Sequence, residues 1–512
     1  MAELFGRTLK LLSLGRSAFQ WKGGPADATV AANARLTLIE KMGRLRGLPQ
    51  KIGQILSMGS SDEAGDFLPL TNAAEPVPFE VIHQELRDAL GENPGAVFHE
   101  IEPRGLAASL GQVHRARLKN DQLVAVKVRY PGIENAVLQD LKLLGWLTVP
   151  VGGLRRGFDM NAYREEILRD LEEELDYRVE AEHQRDFSLL MHDVPGLVVP
   201  RVFLEFSSER VLVTGWEEGE DIEQVCAAWP SDQKRALARQ LLLLFCKSVL
   251  ERGIVHADPH AGNYRFRRGK SGPEIILYDF GSCVRLDEKT RLALVRLMRA
   301  TMDLGSDDPY ALFLLMGFDP KTLAPLRSKL PALCRVMFEP FVAGAPYQLG
   351  GWRRSERIGD ILGDDRWNFR ISGPASLLFL MRAFHGLIYY LEKLNEPVNW
   401  TWQCRPILES QASAAGNLVL PVNRDAECGF QSLARHLVIH VLENNATKVK
   451  VTLPALAVDD LEEYLEGDVL SRIRQRGIDV GKLAKEVRQS GYSPRELFLL
   501  DEPPKQYHVW LE

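Results

Sequence analysis

The spacing of hydrophobic residues divides the first half of the chain into helical and extended stretches. Residues 28–60, interrupted by Gly47 to Pro49, and residues 77–91 repeat hydrophobic positions every three to four residues, which predicts helices. After Val97 the repeat shortens to two. Strands are therefore predicted over residues 98–101, 113–118, 123–129, 198–206 and 210–214, with helices over residues 134–149 and 160–193.

The second half of the chain is mainly helical. Ser231 and Asp232 are suitable caps for a helix that ends at Gly253. The core continues with residues 255–266, a polar turn and a hydrophobic strand at residues 274–278, and helical stretches then follow to about residue 415. The last part is a predicted hairpin, two short helices and a final strand, with the extended stretches at residues 437–442, 448–453 and 507–511. Strands followed by a helical half predict an α+β fold with two lobes.

Length and composition exclude several classes of protein. A chain of 512 residues is too long for one hydrophobic core, and 45% hydrophobic with 26% charged residues is ordinary for a globular protein. The net charge of −6 gives no indication of a nucleic-acid partner. The six cysteines have no CxxC spacing, which argues against a zinc site or a disulfide framework and favours a reducing compartment such as the cytoplasm.

The hydrophobic runs are too short to cross a bilayer. None reaches the roughly 18–20 residues required, so no transmembrane helix is predicted. Residues 1–22 contain no acidic residue after Glu3, and their hydrophobic residues alternate with Arg7, Lys10 and Arg16. Such a helix can lie on a membrane surface, as a peripheral contact, or pack on its own domain; we favour packing.

Three motifs occur in the order of a kinase catalytic centre. Val124 to Lys127 reads V-A-V-K, with Lys127 on the third predicted strand, where a kinase lysine binds nucleotide phosphates. His256 to Asn263 contains Asp258, which would orient or deprotonate the nucleophile, and Asn263, which would bind Mg²⁺. Asp279-Phe280-Gly281 follows a hydrophobic strand and supplies a second Mg²⁺ ligand, Asp279.

Each motif also has a simpler explanation. A lysine at the end of a strand can lie in solvent, and the second motif can be a polar turn or a metal site formed by His256 and His260. The order of all three motifs, with the expected strands and helix between them, favours a site for ATP and Mg²⁺.

The loop over the nucleotide phosphates departs from the protein-kinase pattern. Its glycines would fall at positions 106, 108 and 111, where the chain has Leu106, Ala108 and Gly111. Because glycine lets backbone amides approach phosphates closely, this loop predicts a stiffer cradle, with polar contacts from Ser109 and Gln112. The predicted ATP-binding residues are Ala107, Ala108, Ser109, Gly111, Val113 and Lys127.

The motifs resemble those of the UbiB/AarF family of atypical kinases, which is associated with ubiquinone and other isoprenoid-quinone lipids. Lys51 to Gln54 matches the family's K-x-G-Q motif, residues 107–114 its alanine-rich loop, and Glu174 to Tyr177 its E-x-D motif. The catalytic loop matches too, with Ala261 where the family usually has proline. The resemblance covers about residues 30–410.

The resemblance implies a protein-kinase-like fold that binds ATP and Mg²⁺, with a K-x-G-Q extension over the place where a protein kinase binds peptide. It implies a helical extension, an N-lobe, a C-lobe and a small α+β module, which we place at residues 1–95, 96–225, 226–430 and 431–512. Residues 435–512 resemble a small SHOCT-like module, for which we expect a binding or oligomerisation role.

The acidic helix after residue 170 supplies partners for the basic side chains. Lys51 and Gln54 lie one helical turn apart and would face Glu174 and Asp176; without the family resemblance, a solvated helix face would be the preferred explanation of these two residues. One carboxylate among Glu174, Asp176 and Glu180 should pair with Lys127, and we favour Glu174.

Three functions are consistent with the sequence. The first is an atypical kinase or ATPase that supports isoprenoid-quinone metabolism, with an isoprenoid lipid or quinone-pathway proteins as partners. The second is a nucleotide-binding pseudokinase scaffold without turnover, which the altered phosphate loop favours. A Ser/Thr protein kinase ranks last because residues 51–54 would obstruct the peptide groove.

Overall fold

The computed structural model describes residues 77–512 apart from residues 109, 136–172, 375, 422–428, 431–432, 445 and 466. The predictions for residues 1–22, Lys51, Gln54 and Ser109 therefore lie outside the described residues. The chain divides into two compact units. The first holds Met1–Gln240, Ile254–Val284 and Leu378–Lys393, and the second holds Leu241–Gly253, Arg285–Leu377 and Leu394–Glu512. The proposed division into four domains stays a prediction.

The first unit contains α1 (Phe79–Leu90), α2 (Pro94–Val97), β1 (Phe98–Ile101), β2 (Leu106–Ala107), β3 (Gly111–Leu118), β4 (Leu123–Arg129), β5 (Leu197–Val198) and β6 (Val211–Gly215). Five of these strands form an antiparallel sheet in the order β1-β3-β4-β6, with β2 paired to β3, whereas β5 belongs to another sheet. β1 and β4 have the bounds that the sequence predicted.

The side chains of β4 alternate between the hydrophobic core and the face of the sheet that carries Lys127. Val124, Val126 and Val128 are at most 1% exposed and pack with α1 residues such as Ile82 on one face of the sheet. Successive side chains point to opposite faces of a strand, so Lys127 lies on the other face. That face is covered by α3 (Tyr177–Leu190), whose Tyr177 packs with residues of the sheet.

The remainder of the first unit carries the loops with the candidate catalytic residues. It includes α4 (Ile222–Ala228), most of α5 (Ser231–Cys246), β7 (Ile254–His256), β8 (Tyr264–Gly269), β9 (Gly272–Leu277), the start of β10 (Cys283–Arg285), and most of a later helix, Ser376–Leu394. In the second unit the chain continues after Cys246 as a π-helical segment, Lys247–Arg252, which ends at Gly253, as predicted, where φ is 64°.

One predicted strand is wrong. Residues 198–206 were expected to form a long strand, but only Leu197–Val198 is extended in a ladder, beside β9, and Leu204–Phe206 is a 3₁₀ turn. Pro200 lacks an N–H donor, so a continuous strand through this position would lose a ladder hydrogen bond.

The second unit is mainly helical and ends in an antiparallel sheet. Its helices are α6 (Glu288–Thr301), α7 (Pro309–Leu315), α8 (Pro320–Leu323), α9 (Leu330–Met337), α10 (Glu339–Val342), α11 (Arg354–Leu362), α12 (Arg366–Ser372), α14 (Trp400–Ser410), α15 (Ala412–Gly416), α16 (Gly467–Gln475) and α17 (Val480–Gln489). The helix Ser376–Leu394, most of which belongs to the first unit, is α13. The sheet order is β12-β11-β14-β13, formed by β11 (His436–Glu443), β12 (Ala446–Pro454), β13 (Arg495–Glu502) and β14 (Lys505–Leu511).

The predicted hairpin and final strand correspond to β11, β12 and β14, whereas β13 was not predicted. The α+β fold class is confirmed. Within the described part of the chain, no helix combines the length and the hydrophobicity needed to cross a membrane.

Candidate active site

Lys127 is held by two carboxylates from different parts of the first unit. Its Nζ donates to both carboxylate oxygens of Glu180, at 2.9 and 2.8 Å, and to Asp279 Oδ2 at 3.1 Å. The Lys127 side chain is 15% exposed and that of Glu180 4%. A solvated strand-end lysine is therefore excluded, because the ammonium group is largely buried and paired.

Burial and charge act in opposite directions on this pair. Burial favours the neutral form of Lys127, but the negative charges of Asp279 and Glu180 outweigh it and raise its pKa, so the lysine stays protonated. Burial also raises the pKa of Glu180 to about 7, against the attraction of Lys127. The carboxylate charge of Glu180 is therefore present above about pH 7 and is lost as the pH falls.

The favoured partner of Lys127, Glu174, is not the one observed. Glu174 lies before the start of α3 and accepts a hydrogen bond from Ser282 Oγ at 3.2 Å. Asp176 is the N-cap of α3: its carboxylate accepts from the Arg178 backbone at 3.0 Å and pairs with the Arg178 side chain. Because α3 begins only at Tyr177, Glu180 is the carboxylate on its first turn, and it faces β4.

The catalytic loop brings Asp258 and Asn263 together. Asn263 Nδ2 donates to Asp258 Oδ2 at 2.8 Å and to the Asp258 carbonyl at 3.3 Å. Asp258 Oδ1 accepts from a guanidinium nitrogen of Arg382 on α13. Since the Asn263 nitrogen is used in this way, its amide oxygen is the atom left to bind a cation.

Asp279 has the geometry of a residue presented at the end of a strand. It follows β9 with a φ of 53°, in the left-handed region, and its Oδ1 accepts from the Gly281 N–H at 3.2 Å. Carboxylate and amide oxygens suit Mg²⁺, which usually keeps several waters and needs few protein ligands. Asn263 and Asp279 therefore fit a Mg²⁺ ion that is also bound by phosphate.

His256 fixes the turn at Asp279 through hydrogen bonds to two backbone carbonyls. Its Nε2–H donates to the carbonyls of Tyr278 and Asp279, at 3.1 and 2.9 Å, and its ring packs edge-on against Phe280. Burial lowers the pKa of His256, so the ring is neutral. His260 Nδ1 accepts from the Gly262 N–H at 3.0 Å. The described residues contain no cluster of three metal-binding side chains, so the alternative of a histidine metal site has no support.

The phosphate loop is a tight hairpin. Ala107 pairs with Gln112, and the Ala108 N–H donates to the Gly111 carbonyl at 2.8 Å. A Cβ at Gly111 would overlap the Val128 carbonyl and the Tyr177 hydroxyl, which explains why a glycine is needed there. Val113 lies opposite Lys127 in the β3–β4 ladder.

Gln112 does not make the phosphate contact that the sequence suggested. Its side chain is 1% exposed, accepts from the Val77 N–H at 2.8 Å and contacts His114 at 3.1 Å. The β3 register turns it inward, so it anchors the residues before α1 instead of reaching the nucleotide.

Helix α13 supplies contacts that the sequence did not reveal. Besides the Arg382 contact to Asp258, the Tyr390 hydroxyl donates to the Pro259 carbonyl at 3.1 Å. Gly386 lies against Pro259 so closely that a Cβ there would overlap its ring. Arg382 and Tyr390 follow their partners in the catalytic loop by 124 and 131 positions and belong to an ordinary amphipathic helical pattern, so no local signal pointed to them.

Comparisons with known proteins identify the family that this chain resembles. Residues 69–308 match the model of the ABC1 atypical kinase-like domain. Atypical kinase coq-8, mitochondrial, of Caenorhabditis elegans is 29% identical over 77% of this chain and 53% of that protein. AarF domain-containing protein kinase 1 of Xenopus tropicalis is 32% identical over 48% of this chain and 50% of that protein. The chain thus spans about half the length of these curated relatives.

A solved structure shows the same fold. The Mycobacterium tuberculosis protein Rv3197, determined in complex with erythromycin, superposes with a TM-score of 0.50 and 23% identity, over 74% of this chain and 97% of that one. The resemblance to atypical kinases that the UbiB/AarF motifs indicated is therefore confirmed, with the match to the ABC1 atypical kinase-like domain over residues 69–308.

Proposed function

We infer that the protein binds Mg²⁺-ATP and cleaves its terminal phosphate, as an ATPase or a kinase of the phosphotransferase class. The observation that carries this inference is the contact of Lys127 with both Glu180 and Asp279. A buried lysine between a helix carboxylate and a metal-binding carboxylate is the arrangement that phosphoryl transfer requires, because catalysis there depends on positioning and charge neutralisation.

Each residue has a separate task in this reaction. Lys127, aligned by Glu180, would bind nucleotide phosphate oxygens, and Asn263 and Asp279 would hold Mg²⁺, which neutralises phosphate charge when bound. Asp258 would orient the attacking hydroxyl or water. In hydrolysis the water oxygen bonds to the terminal phosphorus as the bond to the bridging oxygen breaks, which yields ADP and phosphate. The hairpin at Ala107 to Gly111 would cover the phosphates.

Replacement of Asp279 by asparagine tests this function. The variant keeps the size of the side chain and removes the charge that would bind Mg²⁺, so Mg²⁺-dependent ATP hydrolysis should fall by about a hundredfold or more. Asp232→Asn, an exposed change at the start of α5, serves as the control and should leave the rate unchanged. Equal rates in wild type and Asp279→Asn would contradict the inference.

The membrane and quinone part of the proposal rests on the resemblance of the motifs to the UbiB/AarF family. We place the protein in isoprenoid-quinone metabolism in the cytoplasm, with a peripheral membrane contact through residues 1–22 as the alternative to the favoured packing of this segment on its own domain. A peripheral contact predicts that ATP hydrolysis rises with liposomes that contain an isoprenoid quinone, and that a variant lacking residues 1–22 loses that rise. Liposomes without effect on the full chain would contradict this part alone.

A nucleotide-binding scaffold without turnover is the second candidate. The hairpin at residues 106–111, with one glycine in place of three, favours it, because fewer backbone amides can approach the phosphates. Thermal stabilisation by Mg²⁺-ATP without release of phosphate, also in the presence of quinone-containing liposomes, would support this function over the first. Robust phosphorylation of a generic protein substrate would instead support a Ser/Thr kinase.

A further inference from the structure

Asp258 and Arg382 form an ion pair that is mostly shielded from solvent. The Arg382 side chain is 10% exposed and that of Asp258 18%. The second Asp258 oxygen accepts from Asn263 at 2.8 Å, so both oxygens of the carboxylate already accept hydrogen bonds. Shielded ion pairs contribute little net stability, because desolvation offsets most of their attraction. Stability alone therefore gives a weak reason for this pair.

The helix that carries Arg382 is fixed to the catalytic loop at other points. Gly386 packs against Pro259 without room for a Cβ, and Tyr390 donates to the Pro259 carbonyl at 3.1 Å. The backbone of α13 thus holds its place beside the loop without help from the ion pair. The guanidinium, on a flexible four-bond stem, can change partner while the helix stays where it is.

Arg382 places a second positive charge beside the candidate carboxylates. Lys127 contacts Asp279 at 3.1 Å, and Arg382 contacts Asp258. Lys127 is also held by Glu180, at 2.8 Å, whereas the carboxylate partner of Arg382 is Asp258. The phosphate hairpin has only one of three expected glycines, which limits close backbone contacts. A guanidinium fork matches phosphate oxygens in a bidentate way that an ammonium group cannot.

We propose that Arg382 recognises the terminal phosphate of a bound nucleoside triphosphate, exchanging Asp258 for that phosphate. This proposal rests on the proposed ATP-binding function. Without nucleotide, Arg382 neutralises Asp258. With a triphosphate bound, the guanidinium moves to the terminal phosphate and leaves Asp258 Oδ1 to orient the nucleophile. A diphosphate offers no such partner, so Arg382 stays on Asp258.

Comparison of triphosphate and diphosphate affinities tests this proposal. Isothermal titration calorimetry with Mg²⁺ would measure ADP and a non-hydrolysable ATP analogue against wild type, Arg382→Gln and Arg382→Lys. Arg382→Gln should bind the analogue at least about tenfold more weakly, with ADP affinity changed less than about twofold. Arg382→Lys, which keeps the charge but loses the fork, should give an intermediate loss for the analogue.

Lys393→Gln provides the matched control. It removes one positive charge from the same helix, at an exposed pair with Glu223, and should bind both nucleotides as wild type does. Thermal unfolding of each variant shows whether it is folded; if Arg382→Gln is not, Arg382→Lys decides. Equal losses for ADP and the analogue, or no loss for either, would overturn the proposal. A wild-type protein that binds neither nucleotide would overturn the proposed function with it.

Discussion

Replacing Glu180 by alanine removes the carboxylate that holds Lys127 against α3. The pair is largely buried, with side chains 4% and 15% exposed, and Glu180 accepts two hydrogen bonds from the Lys127 ammonium group. Removing one member of a buried pair costs about 3–5 kcal/mol, because the remaining charge is left desolvated. Asp279 stays within 3.1 Å of Lys127, so the cost should lie near the lower end, about 3 kcal/mol.

Glu180→Ala should also change the Mg²⁺ dependence of ATP hydrolysis. With Glu180 absent, Lys127 has Asp279 as its remaining carboxylate partner among these contacts and competes with the metal for it. The Mg²⁺ concentration for half-maximal ATP hydrolysis should therefore rise, and the maximal rate should fall by about a hundredfold or more. Urea titration gives the free energy of unfolding, and a Mg²⁺ series of ATPase assays gives the metal dependence.

Glu174→Ala is the informative comparison. Glu174 was favoured from the sequence, but it accepts from Ser282 Oγ, and loss of such a hydrogen bond costs about 1 kcal/mol. This variant should leave the Mg²⁺ dependence nearly unchanged. A larger loss of stability or activity in Glu174→Ala than in Glu180→Ala would refute the assignment of Glu180 as the partner of Lys127.

Three further outcomes are expected. Because burial raises the pKa of Glu180 to about 7, its carboxylate becomes protonated as the pH falls below that value. The rate of ATP hydrolysis should therefore decline between about pH 8 and pH 6. This decline should flatten in Glu180→Gln, and an unchanged decline in that variant would contradict the prediction. Gly386→Ala should lower the free energy of unfolding in urea titrations by about 1–3 kcal/mol, because the added methyl group would overlap Pro259. Gly359→Ala, where the methyl group on α11 would meet open space, should not lower it. Equal effects of the two changes would argue against tight packing of α13. Asp459→Ala should lower the free energy of unfolding by about 3–5 kcal/mol in the same assay. The Asp459 carboxylate lies 2.7 Å from the Arg357 guanidinium on α11, and each side chain is 3% exposed. A loss below about 1 kcal/mol would show that this ion pair does not hold the region around Asp459 to α11.

The placement of Lys127, Asn263 and Asp279 was predictable because short-range patterns determine it, while their roles in binding phosphate and metal stay predictions. The two-residue repeat of β4 places Lys127 on the face opposite the valine core, and the catalytic loop and the turn at Asp279 each carry their ligands within a few positions. The positions of these side chains could therefore be predicted from the local sequence, without knowledge of the rest of the fold.

The contacts that depend on distant parts of the chain were not predictable in the same way. The choice between Glu174 and Glu180 depends on where α3 begins, and the acidic run hides the break that Asp176 caps. The sequence suggested a phosphate contact from Gln112, but the register of β3 places its side chain inward, where it accepts from the Val77 N–H. Arg382 has no local signature, since only folding brings α13 beside the catalytic loop.

Binding of ATP as a function of Mg²⁺ tests the central claim most directly. Isothermal titration calorimetry with the full chain should show ATP binding in the presence of Mg²⁺. Affinity should fall at least about tenfold when Mg²⁺ is omitted or when Asp279 is changed to asparagine. ATP binding that is equally tight in wild type and Asp279→Asn, with or without Mg²⁺, would contradict the assignment of Lys127, Asn263 and Asp279 as a nucleotide and metal site.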